Sequence, residues 1–166
     1  MNIFYSLDEM RGIIGCRSIA MIGSGESRLT YVFNPRNVCA LAVNKSAVDY
    51  PAELSVVVED HISEVFYLGV RPPIVFIPTL DVFKWNIFND RGYWTATVLL
   101  RYLCEVVKPP VIYLQGFDLS KPKYLPQAKH FLEISQRYRE QKIFFSKQNF
   151  NMTFFSVTTP ERNHYL

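Results

Sequence analysis

A three-layer α/β fold of Rossmann-like type, with a mostly parallel sheet and helices on both faces, is what this sequence predicts. Three observations carry that expectation. Apolar runs of strand length recur along the chain and are continuous and rich in Val, Ile and Phe, as strands buried on both faces are. Longer amphipathic segments alternate with them, so the chain reads as successive βαβ units. One apolar run ends in Gly23-Ser24-Gly25 and turns polar at once, as a strand does when it meets a tight turn and then a helix N-terminus.

The expected strands number about six. The first covers residues 18–23. The second, residues 39–43, ends in Asn44, and the third, 54–58, runs into Glu59-Asp60-His61. The fourth, 74–77, is framed by Pro72-Pro73 and Pro78, and the fifth, 111–114, ends in Gln115-Gly116-Phe117-Asp118. The sixth is residues 152–157. Two helices stand out. Residues 93–107 carry Trp94, Val98, Leu99, Tyr102, Leu103 and Val106 at helical spacing, stopped by Pro109-Pro110. Residues 127–148 carry Ala128, Phe131, Leu132, Ile134 and Tyr138 on one face, with Lys129, Glu133, Gln136, Arg137 and Glu140 on the other. Without repeat, linker or low-complexity tract, residues 1–166 read as one domain.

Composition narrows the function classes. With 49% hydrophobic residues the chain can bury a core, and a formal net charge of +3 admits a phosphate-bearing ligand without arguing for nucleic acid. Cys16, Cys39 and Cys104 are far apart and odd in number, so neither a disulfide framework nor a zinc site is expected. The N-terminal residues lack a basic stretch followed by an apolar one, and no apolar stretch approaches the length of a membrane span. The expectation is therefore a cytoplasmic, reducing setting, and 15% aromatic residues suit a homo-oligomer without requiring one.

In a parallel sheet of this kind the ligand sits beyond the carboxyl ends of the strands, so the residues there matter most. Gly23, Ser24, Gly25 and Ser27 form a turn able to cradle a phosphate, with the Ser24 and Ser27 hydroxyls as donors. The same turn also serves as a plain strand-to-helix connection. Asn44 offers a carboxamide suited to base or ribose, or to turn formation. Glu59-Asp60-His61 is the densest titratable cluster, yet neighbours in an extended segment point to opposite sides and cannot all converge. Asp60 is a candidate acid, base or helix cap. Asp118, after Gly116, suits either loop N–H groups or a ligand hydroxyl. Tyr124, in the basic loop with Lys121 and Lys123, could meet a phosphate. His130, early in the long helix, is a candidate general base or a surface histidine.

Together these residues resemble the small bacterial sialyltransferases that use CMP-sialic acid. They are also similar to a related Rossmann-like family that includes an archaeal hydroxymethylpterin diphosphokinase. The residues that carry the likeness are Ile22-Gly23-Ser24-Gly25-Glu26-Ser27, Val43-Asn44, Gly92 opening an apolar helix, and Ile112-Tyr113-Leu114-Gln115-Gly116-Phe117-Asp118. The order and spacing of elements agree with the family over about residues 18–158. The family's proline is replaced by Glu26, its Ser/Thr pair by Asp90-Arg91, and its lid is nearly absent. The resemblance implies a nucleotide or nucleotide-sugar site lined by Gly23, Ser24, Gly25, Ser27 and Asn44 and bordered by Gly92 and Gly116–Asp118. Group transfer from the activated donor would then use Tyr124 or the nearby Lys121 and Lys123 at the leaving phosphate and His130 or Asp60 as base. A diphosphokinase would instead need Mg²⁺, for which Glu59, Asp60 and Asp118 are available; no other cofactor or metal is called for. A shortened relative that only sequesters a nucleotide, or serves as an assembly subunit, is the non-catalytic alternative.

Overall fold

The computed structural model describes residues 4–29, 31–70, 73–86, 95–117, 125–146 and 164–165. Their strands form one sheet in which every neighbouring pair is parallel. The strands are β1 Phe4–Tyr5, β2 Ser18–Ile22, β3 Val38–Val43, β4 Leu54–Val58, β5 Ile74–Ile77, β6 Ile112–Gln115, β7 Ile143–Ser146 and β8 His164–Tyr165. Their order across the sheet is β1-β5-β4-β3-β2-β6-β7-β8. The chain therefore winds one way from β2 through β3 and β4 to β5, then returns and winds the other way from β6 to β7. Right-handed crossovers put the connections of the two halves on opposite faces.

The core shows that division. Ile19, Met21, Leu41, Val56 and Val58 face a layer made of α1 (Leu7–Ile14), α3 (Thr79–Trp85), α4 (Thr95–Tyr102) and α5 (Leu125–Arg137). The alternate residues Ala20, Ile22, Ala40 and Ala42 face Phe33 and Tyr50 instead, and Val57 and Ile74 meet Val65 of α2 (Ile62–Tyr67). Both faces of the central strands are thus apolar, which is why they read as unbroken hydrophobic runs. Each fully buried Ile or Leu contributes roughly 1.5–3 kcal/mol.

Beyond the short elements β1, α2 and α3, which the sequence expectation did not include, three differences shape the layers. Helix α1 is short, but Ser6 and Glu9 form a reciprocal cap, each backbone N–H donating to the other's side chain at 3.1 Å, and Leu7, Met10 and Ile14 are buried at helical spacing. The helix expected over residues 127–148 ends at Arg137; Ile143-Phe144-Phe145 forms β7, where β-favouring residues alternate between the two faces. The helix expected over residues 93–107 is α4 followed by a π-helical turn, Leu103–Val107. The proposed sixth strand, residues 152–157, lies outside the described residues.

At the amino edge of the sheet one guanidinium ties three segments together. Arg17 donates to Glu53 at 2.7 and 3.2 Å and to the carbonyls of Ile13, Ile14 and Pro35. Burial works to raise the Glu53 carboxyl, but the Arg17 hydrogen bonds, the Cys39 thiol and the Arg17 charge outweigh it and hold Glu53 below the ordinary range. Burial, aided by Glu53, pushes the Cys39 thiol up to about 12. All three cysteines are free, with only Cys16 exposed. Among the described residues no helix is long and apolar enough to cross a membrane.

Candidate functional site

Because all strands run in parallel, Gly23, Asn44, Glu59, Pro78 and Gly116 stand along one edge, each just past its strand. The winding reverses between β2 and β6, where Ile22 pairs with Gln115, and Gly23 and Gly116 are the next residues on each side. A crevice at such a reversal is where open α/β sheets take their ligands.

Here the two chain ends touch. The Gly23 N–H donates to Gln115 O at 2.7 Å and the Gly25 N–H to Gly116 O at 2.5 Å. A Cβ on Gly23 would lie 2.5 Å from Gly116 O and 2.7 Å from the Phe117 ring. Gly116 is left-handed, with φ +79°, and a Cβ there would lie 2.5 Å from Gly23 O and 2.7 Å from Arg28 Cβ. Both glycines are therefore required by each other before any ligand is considered.

The chain after Gly25 corrects the expected helix N-terminus. Glu26–Leu29 is a single four-residue 3₁₀ turn, so no helix dipole points at the glycine loop. Tertiary contacts pull the segment onto the sheet instead. Gln115 Nε2 donates to the carbonyls of Arg28 and Tyr31 at 2.7 and 2.8 Å, Arg28 pairs with Asp49, and Phe33 is buried against β2 and β3. Pro35 follows, where a helix would have to stop. Ser24 and Glu26 are exposed, and Ser27 is half-buried.

Asn44 adopts left-handed backbone, φ +53°, uncommon for a residue other than glycine. Its Oδ1 accepts from Thr95 Oγ1 at 3.1 Å, joining the end of β3 to the first residue of α4. Ser46 Oγ donates to Ile22 O at 2.7 Å and Val43 O at 2.9 Å, fixing the same corner from below.

The acidic cluster is divided. Glu59 Oε2 accepts from both the Thr79 N–H (2.9 Å) and Thr79 Oγ1 (2.8 Å), which caps α3 and holds the carboxyl below its usual range. His61 Nδ1 lies 3.5 Å from Glu64, and Asp60 is exposed. His130 sits on α5 and is only 7% exposed. Asp60, just past β4, and His130, on α5 after β6, are the two alternative bases, and three inter-strand steps separate those strands. Gly92, Asp118 and Tyr124, with Lys121 and Lys123, lie outside the described residues. Among the described residues no three His, Cys, Asp or Glu side chains gather as a metal set.

Sequence reasoning missed Arg28, Asp49, Thr95 and Gln115, which build this corner. Gln115 carried a signal, being a fully buried polar residue at the end of an apolar strand, where its amide has to find partners. Arg28, Asp49 and Thr95 carried none, because their partners are distant in sequence. No family model, curated protein or solved structure matches the chain.

Proposed function

We propose that this chain binds a nucleotide or nucleotide-sugar across the carboxyl ends of β2, β3 and β6. The observation that carries the reading is the reversal of winding between β2 and β6, with side-chain-free Gly23 and Gly116 on its two sides and left-handed Asn44 beside it. The ligand's phosphate would meet the exposed Ser24 and the edge of the glycine turn, beside Arg28, whose Nη1 donates to Gly25 O at 3.1 Å. Asp49 tempers that cation by pairing with it. Asn44 would present its amide to base or sugar. The sialyltransferase-like resemblance makes group transfer from a nucleotide-activated donor the reaction of this reading, with Tyr124 at the leaving phosphate.

The non-catalytic reading, a protein that sequesters the nucleotide or serves as an assembly subunit, gains from one observation: His130, one of the two alternative bases, is buried on α5. The Mg²⁺-dependent diphosphokinase reading loses Glu59, whose carboxylate is already committed to Thr79.

Thermal-shift titration with CMP, CMP-sialic acid, UDP-sugars, ATP and GTP, with and without Mg²⁺, tests the site. Asn44→Gly keeps the left-handed backbone and removes the amide, so it should fold and bind the preferred nucleotide about tenfold more weakly. Absence of a shift with every nucleotide overturns the binding reading. Binding without turnover of any donor selects the sequestering one.

A further inference from the structure

The opposite edge of the sheet holds a cavity of about 530 Å³, the size of a small-ligand site. It lies where the chain leaves α4 through the π-helical turn and where α5 ends, with Cys104 and Tyr138 among its lining and Lys108 and Arg139 contributing cations. The π turn brings Lys108 into place: its N–H donates to Leu103 O, five residues back, at 2.8 Å, and Lys108 takes left-handed backbone, φ +51°. Asn44 and Lys108 are the two described non-glycine residues with positive φ, and each stands at one edge of the sheet.

The charges around the cavity are unequally used. Glu105 accepts from Tyr138 Oη at 3.1 Å and lies 4.0 Å from Arg101. Arg137 pairs with Glu133 at 3.0 Å. Gln141 Nε2 donates to Pro109 O and closes the wall. Among the described residues the side chains of Lys108 and Arg139 make no hydrogen bond or ion pair, and Glu140 is the lining carboxylate left to oppose them.

We propose that this cavity is a second ligand site that takes a small, multiply charged oxyanion, a phosphate-bearing or polycarboxylate molecule, held between Lys108 and Arg139. Two exposed cations on separate elements, with half-buried Tyr138 and buried Cys104 also in the lining, match an anion with charged oxygens at one end and an apolar body at the other. The site is on the edge opposite the glycine corner, and its existence does not rest on the nucleotide reading.

The test uses the full chain, with sodium pyrophosphate and sodium citrate as probes and sodium chloride of equal ionic strength as reference. Heteronuclear NMR titration should show saturable shifts at residues 104–108 and 137–141 and not at residues 23–28. Lys108→Gly suits the left-handed backbone and so should fold; with Arg139→Gln it should weaken binding at least tenfold. Response to pyrophosphate alone supports the site and narrows its class to phosphates; response to citrate alone narrows it to polycarboxylates. Shifts no larger than those of the chloride reference, equal binding by the double variant, or shifts confined to the glycine corner overturn the proposal.

Discussion

At the amino edge of the sheet one long side chain spans the gaps between segments; at the carboxyl edge, where β2 and β6 end, Gly23 and Gly116 bring two backbones together with no side chain between them. Arg17 fills its space with five donated hydrogen bonds to Glu53 and three carbonyls. Gly23 and Gly116 leave no such space, and the backbones of β2 and β6 bond directly past their ends. The difference teaches what each edge tolerates. A charge network can lose one member and admit water, whereas a backbone contact has no slack, so the glycine corner is the more brittle of the two and the better fixed in shape.

The largest effect expected from that contrast is at Gly116. Gly116→Ala forces a Cβ into left-handed backbone and against Gly23 O and Arg28, and should destabilise the fold by about 2–5 kcal/mol in urea titration. Gly12→Ala is the control. That glycine lies inside α1 with nothing near its missing Cβ, so alanine should stabilise by about 0.5–1 kcal/mol. Equal behaviour of the two variants would remove the claim that the glycine corner is sterically fixed.

Arg17→Ala should cost less, about 1–2 kcal/mol at pH 7, because Glu53 is a third exposed and water screens part of the loss. The Glu53 carboxyl is held below its ordinary value when folded. Its contribution is therefore present above the unfolded carboxylate value, about 4.3, and is lost as pH falls through the lower folded value. The gap between wild type and Arg17→Ala, followed by denaturant titration from pH 7 to pH 3, should close on the acid side. A gap that stayed constant would mean Arg17 acts through its carbonyl contacts alone.

A kinetic reading of the same edge comes from the cysteines. Exposed Cys16 should be alkylated by iodoacetamide in native protein, while Cys39, whose thiol is pushed up to about 12, and buried Cys104 should react at comparable rates only after unfolding. Mass spectrometry of the labelled peptides resolves the three. The smallest effect is at the carboxyl edge: Glu59→Gln weakens the cap on α3, and amide exchange in Thr79–Trp85 should quicken while the glycine corner is unchanged.

The strand cores were legible because burial on both faces writes itself as continuous apolar runs. Leu54–Val58 and Ile74–Ile77 coincide with the runs read from sequence. Helix α1 was legible too, through Ser6 and Glu9, but a pattern of eight residues is easily passed over. Tyr138-Arg139-Glu140 breaks the long helix without proline or glycine, so its end was hidden until β7 claimed Ile143–Ser146 by pairing with β6. At the site, Gly23, Asn44 and Gly116 were found by position at strand ends.

Local chemistry thus determined that the chain alternates buried strands with helices, and which residues stand where the strands stop. Only the tertiary structure decided what those residues do. It spent Gly23 and Gly116 on each other, turned the expected helix into one 3₁₀ turn, bound Glu59 to Thr79 and Asn44 to Thr95, and buried His130. The physical reason is range. Propensity and periodicity act over a few neighbours, but a shared hydrogen bond joins Asn44 to Thr95, 51 positions on, and a close backbone approach joins Gly23 to Gly116, farther still along the chain, and strand order brings them together.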